Sequence, residues 1–435
     1  MSKHVRDMTM VQPVRLPDFR RLFVGEGIAV FADQMLMVAL TLLALRVAGP
    51  GFALGSVLAV ASVPGALLMP LGGWVSDRFS PARVLFLSGV GRTLLALALA
   101  MIVFLGISTL WPLYALAVAL GVLNALYYPA ALSTVPVVLE DKTLLGAGNA
   151  LVLGAQQASE TAGPVLAASV VALFGLGTVF GVNALMFAAA AILFALVAGR
   201  SRRAAKATSE ARGPSEGASG QELRGSTDPA RSPESSRGPV AGVVEGIRYA
   251  WRDPLLRTML FALALLSFAT SGPLRVGGAM LAETRLGGAE ALGVLLSAFG
   301  AGSLAGLVAA GSLVRSGRRG LDLIVGTAAL GLGLGALGFV SGLLPAVAIV
   351  AGMGVGAGYL GVVLMAWLQE RTKPVMHGRV MSLMMFAAVA VDPLSYALMG
   401  ALSELDLRVM FAAAGSLLTL AALLGAASRT VRSFR

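Results

Sequence analysis

The 435-residue sequence has no cysteine, only two histidines and few charged residues, which make up 13% of the chain. Without cysteine, neither disulfide bonds nor thiolate metal sites can form. His4 and His377 have no partner nearby at metal-ligand spacing. The glycines at 331–338 lack the following Lys-Ser/Thr of a phosphate-binding loop. We therefore expect no metal site, no cofactor, no enzyme activity and no ATP-driven motor.

Long apolar runs are what the sequence does contain, with 57% hydrophobic residues and a mean hydropathy of +0.84. A bilayer core roughly 30 Å thick is crossed by about 20 apolar residues of helix. Twelve segments are long enough, at approximately 22–46, 52–75, 83–105, 111–134, 145–172, 174–198, 256–282, 289–314, 321–342, 344–368, 378–402 and 408–428. They predict an all-α membrane protein with twelve transmembrane helices in two six-helix, pseudo-symmetric bundles.

The same segments divide the chain into six parts. A polar stretch rich in Ser, Gly, Arg and Glu separates the bundles, and we expect it to be disordered. The apolar residues after this polar stretch recur with the spacing of an amphipathic helix that lies on the membrane surface. The predicted parts are an N-terminal segment 1–21, a first bundle 22–198, the linker 199–240, the interfacial helix 241–255, a second bundle 256–428 and a tail 429–435.

The net charge of +11 is distributed unevenly along the chain. With the N-terminus inside, 28 of the 33 Lys and Arg residues lie on the side of both termini and the linker, and the opposite loops carry only Arg46, Arg285 and Arg408. This bias predicts a multi-pass protein of the inner (plasma) membrane with both termini in the cytoplasm. Its basic residues would face anionic lipid headgroups, so membrane lipids are expected partners and nucleic acid is not.

Two loops share a glycine four residues ahead of a charged residue. The loop after the second span has Gly73, Asp77, Arg78 and Arg83, and the loop 311–319 has an arginine in place of the aspartate. Glycine permits a close helix crossing there, and the matching loops indicate an internal repeat. The pattern resembles the signature loop of the major facilitator superfamily of secondary transporters, and the resemblance covers essentially all of the membrane part.

The resemblance implies a gate latch on the cytoplasmic side. Asp77 would face the N-terminal end of span eleven, and Arg78 or Arg83 would pair with an acid after span four. The residues that this latch would use are Gly73, Asp77, Arg78, Arg83, Glu140, Asp141 and Arg379. The alternative is that these charges are only anchors of the positive-inside kind.

Span five contains Gly163 and Pro164 in a stretch similar to the element that marks exporting, proton-antiporting branches of that superfamily. Ser159, Ala167 and Ala168 stand where the element has glycine. A helix bend at Pro164 follows from its missing N–H. Shorter phrases, such as Phe19-Arg-Arg-Leu-Phe before span one, resemble the group of the enterobactin exporter and macrolide efflux proteins, which implies extrusion of a bulky, amphipathic organic molecule.

Ionisable side chains inside the spans are the candidates for proton coupling, because they are costly there unless they face water or a partner. Asp33 lies about 11 residues into span one, roughly 16 Å along the helix and near the midplane, where transporter sites occur. Glu26, two turns earlier on the same face, would extend a proton route to the cytoplasm. The alternative for Asp33 is a static interhelical hydrogen bond. Glu160 and Asp392 complete the predicted proton-coupling set.

Arg275 follows the Gly272-Pro273 break of span seven. It would pair with Glu160 or Asp392 when the outside is closed and release it when open, and a permanent buried ion pair is the alternative. We expect Arg92 to lie near a cytoplasmic helix end and to extend its charge towards water.

Polar, aromatic and methionine side chains beside these charges would contact the substrate, although packing is the alternative role of each. The predicted set is Asp33, Asn124, Tyr127, Tyr128, Gln156, Gln157, Phe268, Met35 and Met384. Together they describe a large, mostly apolar cavity that suits amphipathic cargo.

The sequence therefore predicts a monomeric, proton-coupled exporter of small amphipathic molecules such as drugs or siderophores, which works by alternating access. The alternatives are an importer or facilitator of a small solute, such as a sugar, a peptide or a metal ion, and an uncoupled sensor or lipid scramblase of the same shape.

Overall fold

The computed structural model describes residues 12–139, 141–211, 248, 251–313, 319–372 and 377–427, and almost all of these are helical. The first half contains α1 Pro17–Ala48, α2 Phe52–Arg78, α3 Pro81–Phe104, α4 Leu110–Val138, a 3-10 turn Lys142–Leu144, α5 Leu145–Phe174 and α6 Leu176–Ala211. The second half contains α7 Pro254–Gly272, α8 Gly278–Leu281, α9 Ala289–Leu313, α10 Arg319–Leu337, α11 Leu343–Arg371, α12 His377–Val389, α13 Asp392–Leu405 and α14 Leu407–Ala427.

These helices confirm the all-α membrane architecture. Among the described residues, eleven helical segments are long and apolar enough to cross a membrane. The remaining predicted span is α5, which is 30 residues long and carries Gln156, Gln157 and Glu160. Large apolar side chains such as Leu94, Leu185 and Leu344 are exposed on the outer surface of the bundle. Their exposure is what a surface in contact with acyl chains requires, since lipid takes the place of water there.

Two predicted boundaries differ from the structure. Helix α1 begins at Pro17 rather than near residue 22, because proline suits the first helical turn and Asp18 complements the positive helix end. At the other end of this half, α6 continues to Ala211, so residues 199–211 of the predicted linker are helical. The predicted interfacial helix 241–255 lies largely outside the described residues, and the tail 429–435 lies entirely outside them.

Two of the predicted spans are interrupted in the second half. Span seven consists of α7, a π-helical turn Pro273–Gly277, α8 and a second π-helical turn Ala282–Leu286. Span eleven is divided into α12 and α13 at residues 390–391. Proline lacks the N–H that would continue the regular ladder, and π-helical turns are frequent at functional sites.

The two halves meet at the end of the bundle that contains the α1–α2 turn, which we call the distal end because it lies opposite Pro17. The Phe52 N–H donates a hydrogen bond to Glu404 Oε1 of α13 at 3.0 Å. At the start of α2, Gly55 lies against Gly400 so closely that a Cβ on Gly55 would come within 3.0 Å of its Cα. Glycine permits this approach of two backbones across the halves.

A second contact between the halves joins α5 and α9. The Val165 N–H, next to the proline of α5, donates to Ser297 Oγ at 3.0 Å. One turn away, a Cβ on Gly300 would come within 2.9 Å of the Thr161 Cα. The predicted bend of span five therefore lies in the surface that holds the halves together.

Candidate functional site

A buried arginine organises the first half. Arg92 of α3 is 0% exposed, and its guanidinium donates to Asp33 Oδ2 of α1 at 2.8 Å and to Asn124 Oδ1 of α4 at 2.7 Å. The Asp33 side chain is 12% exposed. The rigid fork of an arginine suits this bridging of three helices. Asp33 thus makes an interhelical hydrogen bond with a charged partner, which is compatible with both roles considered for it.

Aromatic rings enclose the same guanidinium. The Tyr127 ring lies over it, with 3.8 Å between Arg92 Cζ and the ring centroid, and Phe187 lies 5.7 Å away. These distances are in the range of cation–π attraction, which is stronger where water is excluded. The Tyr127 hydroxyl in turn donates to Glu26 Oε2 at 2.8 Å.

Glu26 is buried but incompletely bonded. Its Oε1 has no hydrogen-bond partner among the described residues, and neither does Arg92 Nε. The five side chains Glu26, Asp33, Arg92, Asn124 and Tyr127 therefore form one cluster, which we call the arginine cluster.

With both acids ionised the arginine cluster carries a net charge of −1, because one cation faces two carboxylates. A buried net charge is costly, and a bound proton would remove it.

A separate cavity of about 270 Å³ lies between the halves. It is lined by α1, α5, α7, the first π-helical turn and α9. Its size approaches that of sites for small organic ligands. The lining residues are Gln34, Met37, Val38, Thr41, Glu160, Pro164, Thr270, Ser271, Leu274, Arg275, Leu292, Leu296, Phe299, Gly300 and Ser303.

Two opposite charges face this cavity without touching each other. Within the described part of the chain, Arg275 makes no hydrogen bond and no ion pair. It interacts through space with Glu160, Asp392 and two tyrosines. Glu160 is exposed and accepts one long hydrogen bond, at 3.3 Å, from Gln157. The ion pair expected for Arg275 is thus absent, although the halves are in contact at the distal end.

The position of Arg275 follows from a serine that enters the helix ladder. Ser395 of α13 accepts a hydrogen bond from the Gly272 N–H at 2.9 Å and donates to the Phe268 carbonyl. In a regular helix Gly272 would donate to Phe268 directly. The inserted hydroxyl and Pro273 widen the turn, and Arg275 lies in the widened segment.

Asp392 occupies the first turn of α13, where the helix dipole favours a carboxylate. It lies beside Ser271, and its Oδ1 is buried with no hydrogen-bond partner among the described residues. It is not part of the cavity wall.

Several predicted substrate residues lie elsewhere. Met35 and Met384 belong to buried hydrophobic cores and are not among the residues that line the 270 Å³ cavity. Asn124 and Tyr127 are bonded within the arginine cluster. Tyr128 is 40% exposed and, with Gln156, Gln157 and Phe268, lies outside the wall of the 270 Å³ cavity. The wall residues Gln34, Thr41, Thr270 and Ser271 were not predicted.

The structure describes the predicted latch in part. Arg78 lies over the Trp74 ring at 5.7 Å, and Arg83 Nε is buried without a hydrogen-bond partner in the described residues. Asp141 accepts hydrogen bonds from the Thr143 N–H and hydroxyl, which hold the pKa of Asp141 below its usual value. Glu140 lies outside the described residues. The backbones of Gly73, Asp77 and Arg379 are helical.

The prediction for Arg92 was wrong. It lies eleven residues beyond Pro81 in a helix of 24 residues, so its charge cannot reach water along the chain. An arginine that far inside an apolar span was the available signal, because it needs an acid within the membrane.

Comparisons with known proteins agree with this fold. Residues 22–388 match the family described as Major Facilitator Superfamily. A relative from Bacillus subtilis (strain 168), the uncharacterized MFS-type transporter YfiS, is 26% identical over 333 residues, which cover 74% of this chain and 70% of that protein.

Solved structures with the same fold include two transporters. A mutant form of the nucleoside transporter NupG matches with a TM-score of 0.74 at 10% identity, covering 94% of this chain and 99% of that one. The POT family transporter PepTSo matches with a TM-score of 0.72 at 12% identity, covering 96% and 98%.

Proposed function

We propose that this chain, which belongs to the Major Facilitator Superfamily, is a proton-coupled exporter of small amphipathic molecules. It is a multi-pass membrane transporter of that superfamily. The finer assignment concerns its driving ion, its direction and its cargo.

The arginine cluster is the observation that carries the proposal of proton coupling. Arg92 faces the two acids Asp33 and Glu26, so one proton makes the buried cluster neutral. That proton would reside on Glu26, whose Oε1 is unpaired, while Arg92 and Asp33 remain paired. Moving it to Asp33 would release Arg92 from its partner on α1. Proton binding would thereby change the contact between α1 and α3.

The cavity supports an alternating-access role for the two halves. Both contribute to its wall, and they are also in contact at the distal end. Gly163 of the span-five element lies against α1, where a Cβ would come within 2.7 Å of the Gln34 Cβ. Gln34 directly follows Asp33 in the chain. A change at Asp33 would therefore reach the α5–α9 contact through one layer of packing, which supports coupling between the arginine cluster and the two halves.

Import or facilitation of a small solute is the second candidate. The cavity volume of about 270 Å³ favours it, and the solved structures with this fold include nucleoside and peptide transporters. An uncoupled sensor or scramblase would need no exchangeable proton in the arginine cluster.

Transport by the purified chain in liposomes tests the proposal. Compounds that bind are first selected by the shift in thermal stability that a ligand causes. An antiporter accumulates them when the vesicle interior is acidic, because outward proton flow drives inward cargo flow in inverted molecules. Asp33→Asn should abolish this accumulation, and Glu290→Gln, at an exposed helix start, should retain it. Accumulation only with an acidic exterior would show that the protein imports its cargo with protons. Transport that does not depend on the proton gradient would contradict the proposed proton coupling.

A further inference from the structure

The cavity contains an arginine whose hydrogen-bonding groups are unused. Arg275 is half-buried and, across the described residues, has neither a hydrogen bond nor an ion pair. A guanidinium has five N–H donors in a fixed fork that fits a carboxylate. Inside a membrane protein such a cation normally has a partner. The free fork therefore points to a ligand with an anionic, planar group.

Two acids, Asp392 and Glu160, could neutralise Arg275, and neither forms an ion pair with it. Glu160 on α5 and Arg275 in the π-helical turn both line the cavity, and they interact electrostatically without forming an ion pair. Asp392 does not compete for a ligand, because it lies outside the cavity wall with Oδ1 buried. The cavity thus presents the guanidinium of Arg275 as a donor and the carboxylate of Glu160 as an acceptor, at separate positions in its wall.

The rest of the wall is apolar enough to hold an organic body. Met37, Leu296 and Phe299 belong to the same lining as the two charges. The Thr41 and Thr270 hydroxyls donate to carbonyls of their own helices, so only their lone pairs remain for a ligand. The remaining lone pairs accept from N–H donors, such as those of an ammonium group.

We propose that Arg275 and Glu160 form a two-point site for zwitterionic amphipathic cargo. The carboxylate of the cargo binds Arg275, its ammonium binds Glu160, and its apolar body packs against Met37, Leu296 and Phe299. The biological meaning of the site rests on the proposed transport function, whereas the site itself is a property of the cavity. Cargo that bridges the two charges would join α5 of one half to span seven of the other.

Binding of four matched probes to the detergent-purified full chain tests the site. The probes are L-phenylalanine, N-acetylphenylalanine, phenylalaninamide and N-acetylphenylalaninamide, which share one apolar side chain and differ in which end is charged. Affinities are measured by displacement or calorimetry at neutral pH without a proton gradient. We expect the zwitterion to bind most tightly, by about tenfold over each singly charged probe and about a hundredfold over the neutral probe, because each charge-assisted hydrogen bond contributes about one order of magnitude.

Substitutions separate the two ends of the site. Arg275→Gln should weaken the two carboxylate-bearing probes by about tenfold and leave the other two unchanged. Glu160→Gln should weaken the two ammonium-bearing probes in the same way. Arg275→Lys, which keeps the charge but not the fork, should restore part of the loss. Matched controls are Arg285→Gln, whose arginine donates to the Gly338 carbonyl at 2.8 Å, and the exposed Glu290→Gln.

The outcomes distinguish this site from the proposed transport function. Equal affinity for all four probes, or an equal loss for all four in Arg275→Gln with thermal stability retained, would overturn the two-point site. Neither result would bear on proton coupling, because no gradient is present. Conversely, loss of proton-driven uptake in Asp33→Asn with charge-selective binding retained would confirm both assignments separately.

Discussion

Arg92 and Arg275 lie deep within predicted spans, one in each half, and their surroundings are opposite. Arg92 is fully buried, pairs with Asp33, bonds Asn124 and is covered by the Tyr127 ring. Arg275 faces a cavity and, among the described residues, has no bonded partner. A buried cation with bonded partners stabilises its acids and controls their protons, whereas a cation without bonded partners is free for a ligand. The comparison therefore separates the proposed proton site from the proposed cargo site.

The largest expected difference between the two arginines is in stability. Arg92→Met should lower the free energy of unfolding by about 3–5 kcal/mol, because it leaves Asp33 buried without its cation. Arg275→Met should change it little, since no ion pair is lost. Thermal unfolding of the two variants in the same detergent measures the contrast. Adding Asp33→Asn to Arg92→Met should recover part of the loss, and equal destabilisation by both single variants would break the comparison.

The contact between the halves gives the second prediction. Gly55→Ala should cost about 1–3 kcal/mol by overpacking, because a Cβ there would meet the Tyr396 backbone and Gly400. Gly352→Ala in α11 is the matched control, since nothing lies within 4 Å of its Cβ position. There alanine should be neutral or stabilising by about 0.5–1 kcal/mol. The accessibility of a cysteine introduced in the α1–α2 turn reports whether the distal end is closed. Gly55→Ala should increase that accessibility, and an unchanged value would contradict the contact.

A smaller effect on stability is expected from neutralising Glu26. Glu26→Gln retains an acceptor for the Tyr127 hydroxyl and removes the excess negative charge, so it should unfold no more easily than the wild type. Its transport should lose proton dependence while binding of cargo persists. Flux measured with and without a pH gradient checks this. Proton-driven accumulation at the wild-type rate in Glu26→Gln would show that the exchangeable proton lies elsewhere.

The smallest effect is expected at Asp141, in the turn after α4. Hydrogen bonds from Thr143 lower its pKa, so its small contribution to stability is present above its unfolded pKa and is lost as the pH falls through the lower folded value. Asp141→Asn should remove only this loss of stability at acidic pH. Thermal unfolding across the acidic range measures it. A large loss of transport in Asp141→Asn would instead support the latch role that the sequence suggested for this acid.

The sequence was informative about position along each helix and uninformative about rotation around it. Hydropathy located the spans, and the spacing placed Asp33 near the middle of α1. It did not reveal that Met35 turns into a core while Met37 faces the cavity. Lipid and protein core are equally apolar, so the pattern does not distinguish the two faces of a span.

Pairing between helices was the second limit of the sequence. The Arg92–Asp33 contact depends on how α1, α3 and α4 pack, and no local spacing encodes that arrangement. The position of Arg275 similarly depends on Ser395, which lies more than a hundred residues away in the chain. An in-span charge can be located from sequence, whereas its partner requires the packed structure.

The central claim is that the arginine cluster holds one exchangeable proton, and infrared difference spectroscopy of the protein in lipid tests it most directly. Acidification should produce one carbonyl stretch of a protonated carboxylic acid that disappears in Glu26→Gln or shifts in Asp33→Asn, and that persists in Arg275→Gln. A spectrum in which that stretch is absent, or is unchanged in both acid variants, would contradict the account.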